Sequence, residues 1–283
     1  MLKTIFEIVI YKLFNSYLLL NNYDPKGAAM KVISISNIKG GVAKTTTAAT
    51  LAAGLNKRGY KVLMIDSDPQ MNLTMCFTQE PKEGTPSLYT LYDKAAKIDD
   101  IKVEIRDGLD LVLGDFELCS ADMEFFKKAG SLKLLSKAIK SLGEAYDFII
   151  LDTPPNLGFL SLNAFMISDC IVTPMAADSF SLRAVRLLKR TLQEVAEEAE
   201  KEIPVAGILL TRYTDRTNVA KLLEESVESA AELLHTDIFN SRIRQATVVQ
   251  ESQIAKMDLF EYAPKAPVTK DYEAFIDELL ERI

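Results

Sequence analysis

Lys39, Gly40, Gly41, Lys44 and three consecutive threonines, Thr45 to Thr47, lie within nine residues of one another. Ammonium groups, hydroxyls and unhindered backbone N–H groups packed this closely suit a chain of phosphates. Before them, Lys31-Val32-Ile33-Ser34-Ile35 alternates and is rich in Ile and Val, which reads as a strand. After them, Ala48 to Leu55 is built of Ala, Leu, Thr and Gly and reads as a helix. A strand, a glycine turn and a helix opening on Lys-Thr-Thr form a phosphate cradle from Gly40, Gly41, Val42, Ala43, Lys44, Thr45 and Thr46. The free N–H groups of the first helical turn point at the anion, and the helix dipole favours negative charge there. Lys44 is placed to reach the β- and γ-phosphates of a nucleotide. The Thr45 hydroxyl is placed to ligate Mg²⁺.

Two more stretches belong beside this cradle. Tyr60 to Ile65 is an apolar strand that ends in acids, Asp66 and Asp68. Phe148-Ile149-Ile150-Leu151 is another, ending in Asp152, which would hold a Mg²⁺-bound water. In parallel α/β sheets the functional edge is the C-terminal end of the strands. All three carboxylates therefore fall near the phosphates.

Lys39-Gly40-Gly41-x-x-Lys44-Thr45-Thr46 resembles the deviant Walker A box of the ParA/MinD ATPases, in which a second lysine precedes the glycines. The strict P-loop pattern has Gly where this chain has Ile38 and Ala43. If the backbone at Ala43 needs a positive φ, Ala costs about 1–2 kcal/mol there; if it is helical, Ala costs nothing. Asp66-Ser67-Asp68-Pro69-Gln70 resembles the family's Walker A′ box, with Met71 where a Gly usually follows. Tyr146-Asp147-x-Ile149-Ile150-x-Asp152-x-Pro154-Pro155 resembles its Walker B strand. Gly207 to Asn218 also matches. The resemblance covers residues 30–283 and is most specific at the three nucleotide boxes.

That resemblance carries expectations. The fold is an α/β P-loop NTPase, a doubly wound, mostly parallel sheet flanked by helices. ATP and Mg²⁺ are the ligands: Lys39, Lys44 and Asp68 serve hydrolysis, Asp68 by positioning the attacking water. Thr45, Asp66 and Asp152 lie at the metal, and Thr211 and Arg212 are candidates for the adenine edge. Two ATP-bound subunits face each other, each Lys39 reaching the other's phosphates. Arg216 and Arg244 match residues that bind double-stranded DNA without sequence preference, and Arg242 is an extra basic residue beside them. A ParB-like partner stimulates hydrolysis, and the protein is cytoplasmic and nucleoid-associated. The rival is a MinD-like membrane ATPase. The acidic end of this chain, Asp271 to Ile283, suits anionic lipid poorly.

Composition narrows the remaining classes. The chain has 283 residues, a net charge of −7, three cysteines and one histidine. An acidic chain binds nucleic acid only through a local patch. Cys76, Cys119 and Cys170 lack CxxC spacing, argue for a reducing compartment and read as buried thiols. Cys119 and Cys170 also lack the glycine-rich settings of a nitrogenase iron-protein cluster. One histidine, His235, excludes a His-rich zinc site and reads as a helix end. A third alternative is a binding module that has lost hydrolysis through Ala43 and Met71. Arg183, Arg186 and Arg190 fall at near-helical spacing beside Lys189, either as a phosphate-binding patch or as a solvated face.

The elements that must position these residues follow in alternation. Helical patterns cover Ser87–Ala96, Ser120–Ala129, Ser131–Leu142, Leu160–Ser168, Ser179–Glu202 and Asn218–Leu234, and a closing loop and helix run from Phe260 to Ile283. Further strands are read at Leu109–Asp115, Cys170–Ala176 and Val205–Leu210, and residues 78–108 otherwise read as an irregular excursion. Residues 30–283 read as one ATPase domain. Residues 1–29 read as an N-terminal extension. It is either an amphipathic helix on the domain or a membrane surface, or an untranslated leader whose Lys26-Gly27-Ala28 codons can spell a ribosome-binding site before Met30. Ile5 to Leu20 is too short and too polar for a membrane span and lacks a signal cleavage site.

Overall fold

The computed structural model describes residues 30–128, 130–176, 182–213 and 219–283, and only the backbone of 219–224. Within them an eight-stranded sheet has the order β3-β4-β2-β5-β1-β6-β7-β8. Its strands are β1 (Lys31–Ile35), β2 (Val62–Asp66), β3 (Lys102–Arg106), β4 (Leu109–Val112), β5 (Phe148–Asp152), β6 (Cys170–Ala176), β7 (Val205–Tyr213) and β8 (Ile238–Arg244). All neighbours are parallel except β3 and β4. β2, β5 and β6 are buried along their whole length, as runs of Val, Ile and Leu must be when helices cover both faces.

Successive residues of each strand go to opposite faces. Ile33, Ile35, Met64 and Ile150 join one core, with α1 (Lys44–Lys57), α11 (Leu259–Tyr262) and α12 (Pro267–Arg282). Val32, Leu63, Ile65, Ile149 and Leu151 join the other, with α3 (Leu88–Lys94), α6 (Leu134–Lys140) and α7 (Phe159–Ile167). Further helices are α2 (Asn72–Phe77), α4 (Ile98–Ile101), α5 (Ala121–Glu124), α8 (Leu182–Ala199), α9 (Val219–Leu234) and α10 (Thr247–Ile254).

α12 fixes α1 from behind. At Gly54 the packing is so close that a Cβ there would collide with Ile276 of α12 and with Phe260 of α11. Glu278 of α12 accepts from the Asn240 and Ser241 backbone N–H groups at 2.8 and 2.9 Å, holding the otherwise open edge strand β8. Arg282 adds bonds to the Ala206 and Ile238 carbonyls at 3.0 and 3.2 Å.

The structure departs from the sequence reading at the sheet edges. Residues 78–108 are not wholly irregular: β3 forms a hairpin with β4 around Asp107-Gly108, with Gly108 at φ 71°. Asp-Gly is a strong hairpin signal, but β3 is half-buried, so its alternation is masked by polar residues. β8 was not foreseen either, because an edge strand carries Asn, Ser and two Arg. The helix expected at Ser120–Ala129 shrinks to a 3₁₀ turn over Phe116–Ser120 and α5, and Ala129 lies outside the described residues. Cys76 and Cys170 are buried as expected; Cys119 is exposed.

Candidate functional site

The strands beneath the site end level. Ile35 pairs in register with Asp152, and Asp152 with Asp66, so three adjacent strands deliver their last residues to one edge. The 36–43 loop leaves β1 there. Asn37 shapes it, donating to the Pro174 carbonyl at 2.8 Å and accepting from the Lys39 backbone N–H at 2.9 Å. Thr211 supports it from below, its hydroxyl donating to the Val42 carbonyl at 3.1 Å. Arg212 donates to the Gly41 carbonyl at 3.2 Å.

Ala43 precedes α1 with φ 61° and ψ 31°, and Met71 precedes α2 with φ 55° and ψ 27°. Both are left-handed, a region where any side chain costs about 1–2 kcal/mol. The two places where the family usually has Gly are therefore places where the backbone asks for it, and this chain tolerates strain at both.

Lys44 is buried, and its ammonium donates to the Lys39 carbonyl at 3.1 Å. Burial lowers its pKa, opposed by the charges of Asp152 and Asp68. The Thr45 hydroxyl donates to Asp152 Oδ2 at 2.6 Å. Asp152 Oδ1 is buried with no hydrogen-bond partner. Burial, then the neighbouring Asp66, pushes the Asp152 carboxyl well above the usual carboxylate range. A buried acceptor without a donor is costly to leave so; a cation, or a water held by one, would satisfy it.

Asp66 has already committed its oxygens. Oδ2 accepts from the Thr74 backbone N–H and hydroxyl at 2.7 and 2.8 Å, and Oδ1 accepts from the Asp68 N–H at 3.2 Å. Burial pushes its carboxyl up to about 6. It organises the turn into α2. Asp68 accepts from the Gln70 N–H at 2.9 Å and lines the open cleft.

That cleft has a volume of about 720 Å³. Gly40, Gly41 and Ala43 to Thr46 form its floor. Its far wall, not foreseen from the sequence, is Gln250, Gln253, Ile254 and Lys256 on and after α10. Gln253 donates to the Thr46 hydroxyl at 3.2 Å, and Lys256 donates to the Met75 carbonyl. No spacing rule marks a wall built from a segment more than 200 residues beyond the glycines. A second cavity of about 430 Å³ shares Gly41, Ala43, Thr46 and Gln253 with the first and continues past Arg212, Gln245 and Tyr272. Arg212 lines it; Thr211 is buried beneath the loop and does not.

Lys39 is exposed and lies off the cleft of its own chain. Arg242 stacks on Tyr213, its guanidinium 4.8 Å from the ring centre, and donates to the phenol oxygen at 2.7 Å. Arg244 pairs with Asp271. Arg216 lies outside the described residues. Among the described residues no three His, Cys, Asp or Glu side chains gather to hold a metal. A Mg²⁺ here would take most of its ligands from phosphate and water, as it commonly does. Among the described residues no helix is long and apolar enough to cross a membrane.

Residues 30–205 match the family model described as an AAA domain. The chain is 35% identical to the sporulation initiation inhibitor protein Soj of Bacillus subtilis over 199 residues, 70% of this chain and 79% of that one. It is 30% identical to the chromosome-partitioning ATPase Soj of Thermus thermophilus, over 90% of this chain and 98% of that one. In three dimensions it is similar to a putative plasmid partition protein of Borrelia burgdorferi bound to AMPPNP. That likeness has a TM-score of 0.71 and 25% identity, and covers 90% of this chain and all of that one. It is similar also to cobyrinic acid a,c-diamide synthase of Mycobacterium smegmatis with bound ADP and magnesium. There the TM-score is 0.76 at 26% identity, covering 89% and 94% of the two chains.

Proposed function

The chain belongs to the Soj/ParA family of P-loop ATPases, and on that premise we propose that it is a partition ATPase which binds Mg²⁺-ATP in this cleft and hydrolyses it. One observation carries the reading: Thr45, on the floor of a cleft of about 720 Å³, is joined to the buried Asp152, whose Oδ1 is unpartnered. The Thr45 hydroxyl and the unpartnered Asp152 oxygen fit a Mg²⁺ shell, Thr45 as ligand and Asp152 through a water. Asp66 acts one layer out, holding Asp68 and Thr74 in place. A bound Mg²⁺ supplies charge neutralisation at the phosphate oxygens.

The rest is work for the chain's own groups. The backbone N–H groups from Gly40 to Thr46 hold phosphate oxygens at the positive end of α1. Lys44, desolvated and close, places a cation on the β- and γ-phosphates, and the arriving anion favours its charged form. Asp68 on the cleft wall orients the attacking water. Catalysis of this type is positioning and electrostatic stabilisation. The second cavity takes the nucleoside, with Arg212 at its edge.

Lys39 is exposed and does not line the cleft of its own chain, which suits a role on the phosphates of a second subunit. ATP then forms part of a dimer interface, and its binding energy favours the dimer. The ATP dimer binds duplex DNA without sequence preference through Arg216, Arg242 and Arg244. A ParB-like protein stimulates hydrolysis and release, and the protein works in the cytoplasm on the nucleoid. The test measures ATP turnover, light scattering and binding to an unrelated DNA duplex, each with Mg²⁺-ATP and with Mg²⁺-ADP. Turnover, dimers and DNA binding specific to ATP are expected. A monomer with ATP, or equal DNA binding with ADP, overturns the reading.

A further inference from the structure

α8 carries its charges against its own dipole. Its N-terminal half bears Arg183, Arg186, Lys189 and Arg190, and its C-terminal half Glu194, Glu197 and Glu198. A helix is stabilised by anions at its N-terminus and cations at its C-terminus. This order is the reverse, so stability of the helix does not account for it. Arg183, Arg186 and Arg190 are all exposed and recur at three- and four-residue steps, which puts them on one stripe. Along the same stripe the sign reverses at Gln193, beyond which lie Glu194 and Glu197.

The two ends differ in how they are satisfied. Arg190 pairs with Glu194 at 2.8 Å, and Lys189 contacts His235 at 2.9 Å. Among the described residues neither Arg183 nor Arg186 has an acidic partner. Three arginines over eight residues span about 10 Å of helix axis, the rise of about three steps of a DNA strand. The α8 N-terminus follows the C-terminal end of β6, at the sheet edge that carries the cleft, so the dipole and the arginines add their positive potential there.

We infer that the Arg183–Arg186–Arg190 face of α8 is a second phosphate-contacting surface for duplex DNA, separate from Arg242 and Arg244 on β8. The inference rests on the DNA-binding part of the proposed function. An anionic bilayer offers phosphates too, but an interfacial helix needs a free apolar face. The apolar face of α8 is used: Leu188, Leu192 and Val195 pack with Phe165, Ile171 and Ile203, and Val185 packs with Ile208 and Leu210. Leu187, half exposed, is the one large apolar group left on the arginine stripe.

The test is a salt titration of binding to an unrelated duplex with Mg²⁺-ATP. It compares the parent, Arg183→Gln/Arg186→Gln/Arg190→Gln, and the same three positions as Lys. The Gln variant should keep the parent's ATP turnover and lower the log–log salt slope by roughly two to three, at about 0.9 per lost phosphate contact. The Lys variant should restore the slope, which a merely structural role would not do. A parent that binds no DNA overturns both the partition reading and this surface. A parent that binds, with an unchanged slope in the Gln variant, overturns the surface alone. Binding of vesicles rich in anionic phospholipid that the Gln variant abolishes, with DNA binding intact, also overturns it and assigns α8 to a membrane.

Discussion

The Thr45 hydroxyl reaches Asp152 across 2.6 Å, tying the first turn of α1 to the last residue of β5. The bond partners one carboxylate oxygen and leaves the other buried without a donor. The fold thus holds a carboxylate ready for a cation at the expense of its own desolvation.

Asp152→Asn tests that arrangement. The amide oxygen still accepts from Thr45, while the charge that burial disfavours is gone. The variant should melt no lower than the parent without ligands. Mg²⁺-dependent ATP turnover should fall at least about 100-fold, the scale for losing one electrostatic contact to a reacting centre. Parallel thermal melts and phosphate-release assays decide it. Unchanged turnover removes Asp152 from the metal site.

Asp66 predicts a pH dependence of stability. Its folded pKa is about 6, against about 3.9 in an unfolded chain. Below about pH 4 both states are protonated and nothing is lost. Between about 4 and 6 the unfolded chain releases its proton while the folded one keeps it, so stability falls by up to roughly 3 kcal/mol and then levels off. Asp66→Asn should flatten that part of the urea-midpoint curve in ligand-free protein. Parallel curves for parent and variant would show that Asp66 titrates as it does in an unfolded chain.

Ala43 offers a prediction whose sign discriminates. At φ 61° an Ala→Gly change relieves left-handed strain and should raise stability by about 1 kcal/mol net of chain entropy. In a domain this large that is about 2–4 °C in Tm. Were Ala43 helical, the same change would lower stability by about 1 kcal/mol. A differential melt of Ala43→Gly against the parent reads the sign directly.

Lys39 and Asp68 should separate dimerisation from hydrolysis. Lys39→Ala should bind ATP like the parent and fail to dimerise in light scattering. Asp68→Ala should form the ATP dimer and hydrolyse little. Equal dimers from Lys39→Ala would end the cross-subunit role, and normal turnover by Asp68→Ala the water-positioning one.

What the sequence could not show has physical reasons. β1, β2 and β5 were legible because a strand covered on both faces is a run of Val, Ile and Leu, and their terminal acids fall at the functional edge by topology alone. β3 and β8 were not, because an edge strand is half solvated and its polar residues hide the alternation. The carboxylates Asp66, Asp68 and Asp152 were placed near one another by the register of parallel strands. The division of work between them was not legible: only coordinates reveal that Thr74 has taken Asp66 while Asp152 Oδ1 is left open. The α10 wall of the cleft depends on a contact between Gln253 and Thr46 that no local pattern encodes.

Arg244 is already engaged within the chain. Its Nε and guanidinium donate to the two oxygens of Asp271 at 2.7 and 2.9 Å, and its backbone N–H donates to the same carboxylate at 3.1 Å. A phosphate must compete with that carboxylate or share the guanidinium with it. Arg244 is more than half exposed, so solvent screens the pair, and such pairs are worth about 0.2–1 kcal/mol. Asp271→Asn should therefore tighten ATP-dependent DNA binding by about 1.4-fold to fivefold at low salt, with a small loss of stability where α12 meets β8. Arg216→Glu together with Arg244→Glu should abolish DNA binding while leaving ATP-driven dimers intact. Titration of one unrelated duplex against the parent, these two variants and Arg244→Glu alone separates the roles. If Asp271→Asn binds like the parent while Arg244→Glu weakens binding, Arg244 reaches DNA without leaving Asp271. If Arg244→Glu alone changes nothing but the melting temperature, the residue is an anchor for α12, and the DNA contacts lie elsewhere.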